Sequence, residues 1–401
     1  MRVATLPVGF IPLVDAAPLI VAQEMGFAAE EGITLDLRRA PSWSSLRDML
    51  SYGQVDAAHM LSPVPVAGAM GLGGAGGALS AVSVLSINGN VIGVDAALEA
   101  RLRTAGHDFA FNDAEAAGRA LLSVTDAPLR IGVPFPFSMH AELVNYWLTA
   151  LEPDARSRIE IRTVPPPLMS EAIAAGEIDA FCVGEPWGSR AVEKGLGALL
   201  LPGAAIWAFA PEKVLAVRRD WAETERSLVN RLIRAVWRAG RWLGQDGSTL
   251  LATELLSRPE YLDLSPEIIE RGLTGRLVIS AKGEERQTKR FVAFSAGAAT
   301  FPWRSQGEWI AERLAMRTGA DAETARAAGY QVFRSDLYRE ALQNAGADLP
   351  GASSKLEGAL SEDTAVASAE GRVILCRDRF FDGRVFEPAR EKRTENVHLP
   401  D

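Results

Sequence analysis

Residues 3–60 read VATLPVGFIPLVDAAPLIVAQEMGFAAEEGITLDLRRAPSWSSLRDMLSYGQVDAAHM. Short β-branched runs at Val3–Leu6, Ile33–Leu37 and Val55–Met60 alternate with helical stretches around Pro18–Glu31 and Ser44–Tyr52. Strands separated by helices of about ten residues predict right-handed βαβ crossovers and a mainly parallel sheet. Gly32 and Gly53 stand where a helix is expected to stop. The fold class that this stretch gives is α/β.

A second series of the same kind begins at Leu129-Arg130-Ile131-Gly132-Val133. It continues through a helix at Met139–Leu151, a strand at Ile159–Val164, a helix starting in Pro165-Pro166-Pro167 and a strand at Ile178–Cys182. Two α/β lobes follow. Val214–Val217 reads as a strand returning to the first lobe. The helix after it is expected to be N-capped by Asp220, with Glu223 three positions on and Leu228, Leu232, Val236, Ala239 and Leu243 along one face. Crossings near Asn88–Val94 and Pro202–Phe209 would make a hinge. The expected organisation is lobe I from 1–88 plus 210–300, lobe II from 89–209, and a helical C-terminal region and tail, 301–401, packing on the lobes. Within it Gly346–Glu370 reads as a mobile loop and the charged tail Ala389–Asp401 as partly disordered.

A chain of 401 residues can form two or more domains, and 48% hydrophobic with 23% charged residues excludes disorder of the whole. The net charge of −9 opposes nonspecific attraction to nucleic acid or anionic lipid, while a local basic pocket could still hold an anion. No apolar run approaches the roughly 20 residues that span a bilayer, so no membrane segment is expected. The chain passes from Met1 straight into its first strand without an export-signal pattern, which predicts a cytoplasmic location. Cys182 and Cys376, far apart in apolar stretches, read as two buried free thiols.

Gly71–Gly77 contains a GxGxxG pattern, but it follows the helical stretch Val64–Met70 where a dinucleotide site needs a strand, so it reads as a flexible loop. His59 and His140 have no further ligand at metal spacing, and neither metal nor cofactor is expected. His59 reads as a satisfied histidine at a strand end. His140, in the first turn of a helix, either faces a ligand favoured by the helix end or packs in the core. Lys213 follows Trp207, Phe209, Ala210 and Pro211 and precedes a strand. It is either a surface lysine or a desolvated one whose charge a bound anion would relieve. Trp43, between Ser42 and Ser44, offers an indole donor and no acceptor, which suits an oxyanion or simply packs. Strand ends of open α/β sheets are where small ligands bind. With neither a nucleophile nor an acid–base pair among them, these segments suit holding a small anion, and no enzyme activity is expected.

The segments Gly9-Phe10-Ile11-Pro12-Leu13, Ser42-Trp43, Asp56-Ala57-Ala58-His59-Met60-Leu61, Asn88-Gly89-Asn90, Val164-Pro165-Pro166-Pro167, Phe181-Cys182-Val183-Gly184-Glu185-Pro186-Trp187, Pro211-Glu212-Lys213-Val214-Leu215, Phe301-Pro302-Trp303 and Phe380-Phe381-Asp382-Gly383 together resemble the nitrate- and bicarbonate-binding proteins of the NrtA/CmpA type. The resemblance implies a periplasmic-binding-protein-like type II fold, with Trp43, Asn90, His140, Gly184 and Lys213 lining the anion site. Bicarbonate-binding members carry an acidic residue at the place of Lys213, so the resemblance implies nitrate or nitrite. The missing export signal narrows it to the cytoplasmic branch that looks like NasS. Members of that branch sense nitrate or nitrite and sequester a NasT-like ANTAR-type antiterminator until the anion binds. The alternative is the substrate-binding component of an ABC-type nitrate or bicarbonate transporter. A third reading, an enzyme on the same fold acting on a pyrimidine or sulfonate, requires a nucleophile or metal cluster in the cleft.

Overall fold

Ten strands build the two lobes of the computed structural model, which describes residues 3–74, 77–125 and 128–389. They are β1 (Ala4–Phe10), β2 (Ile33–Arg39), β3 (Ala57–Leu61), β4 (Leu79–Asn88), β5 (Asn90–Asp95), β6 (Leu129–Val133), β7 (Ile159–Thr163), β8 (Ala180–Gly184), β9 (Gly197–Pro202) and β10 (Pro211–Arg218). With β13 (Val292–Ala293), whose two predecessors form a separate hairpin, the first sheet has the order β13-β4-β10-β3-β1-β2. The second has the order β7-β6-β8-β5-β9. The parallel ladders β2-β1-β3 and β7-β6-β8 bear out the α/β class. Each sheet also takes in one strand that has just crossed from the other lobe. These two, β5 and β10, run antiparallel to both neighbours.

The first strand is longer than expected because Pro7, which ends the β-branched run, is tolerated inside it. The Pro7 carbonyl accepts from Asp56 N (2.8 Å) on the β3 side. Pairing with β3 starts only at Val8 opposite Ala57, so the missing N–H interrupts no ladder bond. The expected helix after β10 is two. Arg219–Thr224 has Arg218 at its N-cap, and Arg226–Leu243 follows a break at Glu225. Asp220 therefore lies inside the first turn, where its carboxylate accepts from Trp221 N (2.8 Å), and the capping box does not form. The apolar face of the longer helix does pack, with Leu232, Val236 and Ala239 fully buried.

The stretch 276–287, expected within lobe I, turns instead to lobe II. Its hairpin of β11 (Arg276–Val278) and β12 (Glu285–Gln287) is followed on one side by Ile279, whose carbonyl accepts from Leu199 N at 2.8 Å. Arg103 of lobe II also pairs with Glu284 at 2.5 Å. The C-terminal region is helical only through Arg304–Thr318, Ala322–Val332 and Ser335–Leu342. From 343 to 389 it is turns and bends with one short hairpin, Thr364–Ala365 paired with Ile374–Leu375. Gly346–Glu370 is held there by a buried charge cluster, Lys355 with Glu357 (2.5 Å) and Asp378, and by Asp348, which accepts from Ser368 Oγ and Arg372 N, both at 2.7 Å. A buried ammonium must keep its carboxylates, and that need fixes the segment. The Ala75–Gly76 part of the glycine-rich run and residues 390–401 of the tail lie outside the described residues.

This C-terminal region braces both lobes. Arg317 reaches lobe II, pairing with the buried Glu142 (2.8 Å) and donating to Pro136 O (2.7 Å). Burial raises the Glu142 carboxyl and Arg317 opposes the rise. Removing one partner of such a pair strands a buried charge, so Arg317→Met is expected to lower stability by about 3 kcal/mol. Adding Glu142→Gln is expected to recover most of the loss, as read by urea unfolding of the two variants.

Candidate functional site

Five buried ionisable side chains meet where the C-terminal ends of both parallel ladders face each other. His59 Nε2 lies 2.9 Å from Asp15 Oδ1, and Asp15 Oδ2 lies 2.8 Å from Lys213 Nζ. Lys213 Nζ is 3.0 Å from Glu212 Oε1, and that oxygen is 3.0 Å from His140 Nδ1. Glu212 Oε2 accepts from Asn90 Nδ2 at 2.8 Å. None of the six is more than 1% exposed. Lobe I supplies Asp15, His59, Glu212 and Lys213 and lobe II supplies Asn90 and His140, so Glu212 is where the lobes touch electrostatically.

Local structure explains each placement. Asp15 sits in the single 3-10 turn Val14–Ala16 just after β1, and His59 is in β3. Trp43 opens the helix Trp43–Ser51, whose cap Ser42 accepts from Ser45 N (3.2 Å) and so fixes the first turn. His140 is likewise in the first turn of Met139–Leu151, capped by Ser138. The decisive irregularity is in β10. Pro211 pairs with Ile87, Lys213 with Ser86 and Val214 with Val84, so the register shifts on both sides of Lys213. In a regular strand residues 212 and 213 face opposite ways, and a bulge re-aims one of them. Both side chains therefore enter the same cluster.

Trp43 lies against it, its ring centroid 5.5 Å from that of His59 and 5.7 Å from Lys213 Nζ. Its buried indole Nε1 has no hydrogen-bond partner, nor have the ring nitrogens of His59 and His140 an aligned one, nor has Asn90 Oδ1. Gly184 ends β8 at the lobe boundary. A Cβ there would stand 2.9 Å from Leu13 Cδ2, 3.7 Å from Asp15 Oδ2 and 3.9 Å from His140 Nε2. The structure thus gathers Trp43, Asn90, His140, Gly184 and Lys213 in one place.

Burial depresses His140 strongly and Lys213 adds to the effect, so its imidazole is neutral. His59 is lowered by burial and partly restored by Asp15. Burial alone would raise the Asp15 carboxyl, but Lys213 and His59 outweigh it and hold it below the usual range. Lys213 stays charged because Asp15 and Glu212 outweigh its desolvation. Burial pushes Glu212 up to about 7, against the pull of Lys213. The cluster is therefore neutral with Glu212 protonated and carries one negative charge with it ionised. Cys182, beside it, is held as a thiol by burial.

Several expectations change here. Lys213 lies inside β10, not before it, and two carboxylates already compensate its charge. His59 does lie in a strand, but it is not a satisfied histidine there: it belongs to the cluster, paired with Asp15 and without an aligned hydrogen bond. Acid–base pairs are present, Asp15 with His59 and Glu212 with His140. Sequence reading missed Asp15 and Glu212. A lone acid inside the apolar run from Phe10 to Ala22 was a signal for the first, whereas nothing short of the bulge places the second.

Residues 2–257 match the NMT1-like family. The chain belongs to that family. The chain is 28% identical to the nitrate/nitrite binding protein NrtA of Synechococcus elongatus over 405 residues, covering 96% of this chain and 84% of that protein. It is 32% identical over 345 residues to the nitrate import ATP-binding protein NrtC of Synechocystis, covering 85% of this chain and 50% of that protein, and so spans about half of NrtC. The crystal structure of the periplasmic nitrate-binding protein NrtA from Synechocystis superposes with a TM-score of 0.81 at 27% identity, covering 96% of each chain. The two lobes have the periplasmic-binding-protein-like architecture of that solved structure.

Proposed function

We propose that this protein binds a small planar oxyanion between its lobes, nitrate first, and releases it unchanged. The observation that carries this reading is the buried, unpartnered indole donor of Trp43 beside the charged Lys213. An indole can only donate, and leaving it unmatched costs about 1–3 kcal/mol. An oxyanion accepting from Trp43, from a ring N–H of His140 and from Lys213 would satisfy these groups together. Similarity to proteins named for nitrate, nitrite and bicarbonate supports the same ligand class. Lys213 alone does not set the choice among them, because Glu212 brings a carboxylate to the same place and could accept from a bicarbonate hydroxyl.

Calorimetric titration with nitrate, nitrite and bicarbonate tests the reading. Nitrate binding is expected, weakened by roughly tenfold or more in Trp43→Phe, which loses one charge-assisted hydrogen bond. Binding untouched by that substitution contradicts it. Gly184→Ala, whose methyl would press on Leu13 across the lobe boundary, is expected to weaken nitrate by about tenfold with little change in unfolding midpoint. Strained closure costs on the order of 1 kcal/mol.

The relatives named as transport proteins support use as the receptor of an anion importer. The finer role, a cytoplasmic nitrate/nitrite sensor that holds a NasT-like ANTAR antiterminator, is proposed with its own test. Co-purification of the antiterminator in the absence of nitrate and its release by nitrate would support the sensor, and failure of the two to associate would leave the receptor.

A further inference from the structure

A cavity of about 800 Å³ lies at the places where the chain passes between lobes. Its wall includes Asn88 at the first crossing, Pro202, Ala204, Ala205, Ala208 and Phe209 at the second, and Thr288 to Arg290 where the chain comes back from the hairpin. Asn88 ties the first two together, with Nδ2 donating to Ala208 O (2.8 Å) and Oδ1 accepting from Ala210 N (3.1 Å). It also pairs with Val292 just beyond the third. A ligand in this cavity touches three of the segments that pass between the lobes.

The lining is basic in an acidic protein. Arg286, Lys289, Arg290 and Arg377 face Glu362 and Asp363. Asp363 is engaged by Arg290 through bonds of 2.8 and 2.5 Å. Arg286 donates only to the backbone carbonyls of Phe109 and Glu285, both at 2.9 Å. Neither Lys289 nor Arg377 has a carboxylate within ion-pair distance among the described residues. Phe111 and Phe209 supply apolar wall between these charges. Cations around a concave, partly aromatic surface suit an anion with an organic body.

Backbone strain collects at the same place. Six non-glycine residues have positive φ among the described residues, and three of them, Asn88 (57°), Phe111 (67°) and Arg290 (52°), line this cavity. Such conformations cost about 1–3 kcal/mol each and persist where surrounding structure enforces them, commonly at ligand sites and switches.

We propose that this cavity is a second ligand site, for a small organic dianion, and that its occupancy changes lobe closure and hence affinity at the interlobe cluster. The second clause rests on the interlobe reading above. The first does not. Coupling of this kind is reciprocal: the factor by which the dianion changes nitrate affinity is the factor by which nitrate changes the dianion's.

The test titrates the full chain with phenyl phosphate, and in parallel with glutarate to separate phosphate-ester from dicarboxylate recognition. The expected result is saturable binding of at least one probe. Lys289→Glu with Arg377→Glu should weaken it by about tenfold or more while leaving nitrate binding unchanged in the probe's absence. The Trp43→Phe protein should bind the probe as the parent does. Saturating probe should then shift nitrate affinity by about fivefold or more. No binding of either probe, or binding that survives the double charge reversal, overturns the site. Nitrate affinity unmoved by a bound probe overturns the coupling. A chain that binds probe but no nitrate contradicts the interlobe reading and leaves the second site standing.

Discussion

Lys213→Ala is expected to abolish nitrate binding and to lower stability by roughly 3–5 kcal/mol, the usual result of stripping one partner from a buried ion cluster. The substitution removes the only charge that holds Asp15 and Glu212 together at 2.8 and 3.0 Å. Asp15 and Glu212 are then two fully buried acids with no cation between them, and an incoming anion loses its charged donor beside the Asp15 carboxylate. The Glu212→Gln, Lys213→Ala double variant separates the two losses. Neutralising Glu212 leaves Asp15 with only the neutral His59 and an uncharged amide nearby, a milder defect, so unfolding should recover toward the parent while nitrate binding stays at least about a hundredfold weaker. Recovery of both together would show that Lys213 acts only on stability and not on the ligand.

The second large effect is a pH dependence centred on Glu212. Its carboxyl titrates near 7 in the folded protein, raised by burial from an ordinary 4.5. Between those values the folded state keeps a proton that the unfolded chain has lost, so stability falls as pH rises through that window, by on the order of 3 kcal/mol for the full shift. Glu185, raised by burial to about 7, adds a change of the same sign. Nitrate binding follows the same proton. Ionised Glu212 gives the cluster a net negative charge, and above pH 7 affinity is expected to fall by up to about tenfold per pH unit. Glu212→Gln should flatten the affinity profile and remove its share of the stability slope, leaving that of Glu185. Calorimetry and urea unfolding from pH 5.5 to 8.5 on parent and variant check both. A nitrate affinity that rises with pH contradicts the assignment.

Much of the fold was legible because strand–helix alternation is a local pattern. The β-branched runs at Ile33 and Leu129 need no tertiary information. Errors came where a nonlocal partner overrides local preference. Pro7 belongs to a strand only because β3 starts pairing one residue later, and Gly346–Glu370 is fixed because Lys355 pairs not only with its neighbour Glu357 but with Asp378 beyond the segment. The site divides in the same way. Trp43, Asn90, His140, Gly184 and Lys213 were singled out by the resemblance of the segments they stand in, and the structure gathers them. Glu212 depends on a register shift against β4, and the pairing of His59 with Asp15 joins a turn and a strand far apart in the chain. The composition of such a cluster can be guessed from sequence. Its charge balance cannot, because that depends on which carboxylates arrive with the lysine.

The most direct test of the interlobe site is the ¹H–¹⁵N spectrum of the tryptophan indoles during a nitrate titration, with the Trp43 signal assigned by its loss in Trp43→Phe. Trp303 also has a buried indole nitrogen without a partner but lies outside the cluster and outside the crossing segments, so it serves as the internal reference. The expected result is a downfield shift of the Trp43 indole proton that saturates with the calorimetric binding curve while that of Trp303 stays in place. Nitrate binding that leaves the Trp43 indole unmoved would contradict the account.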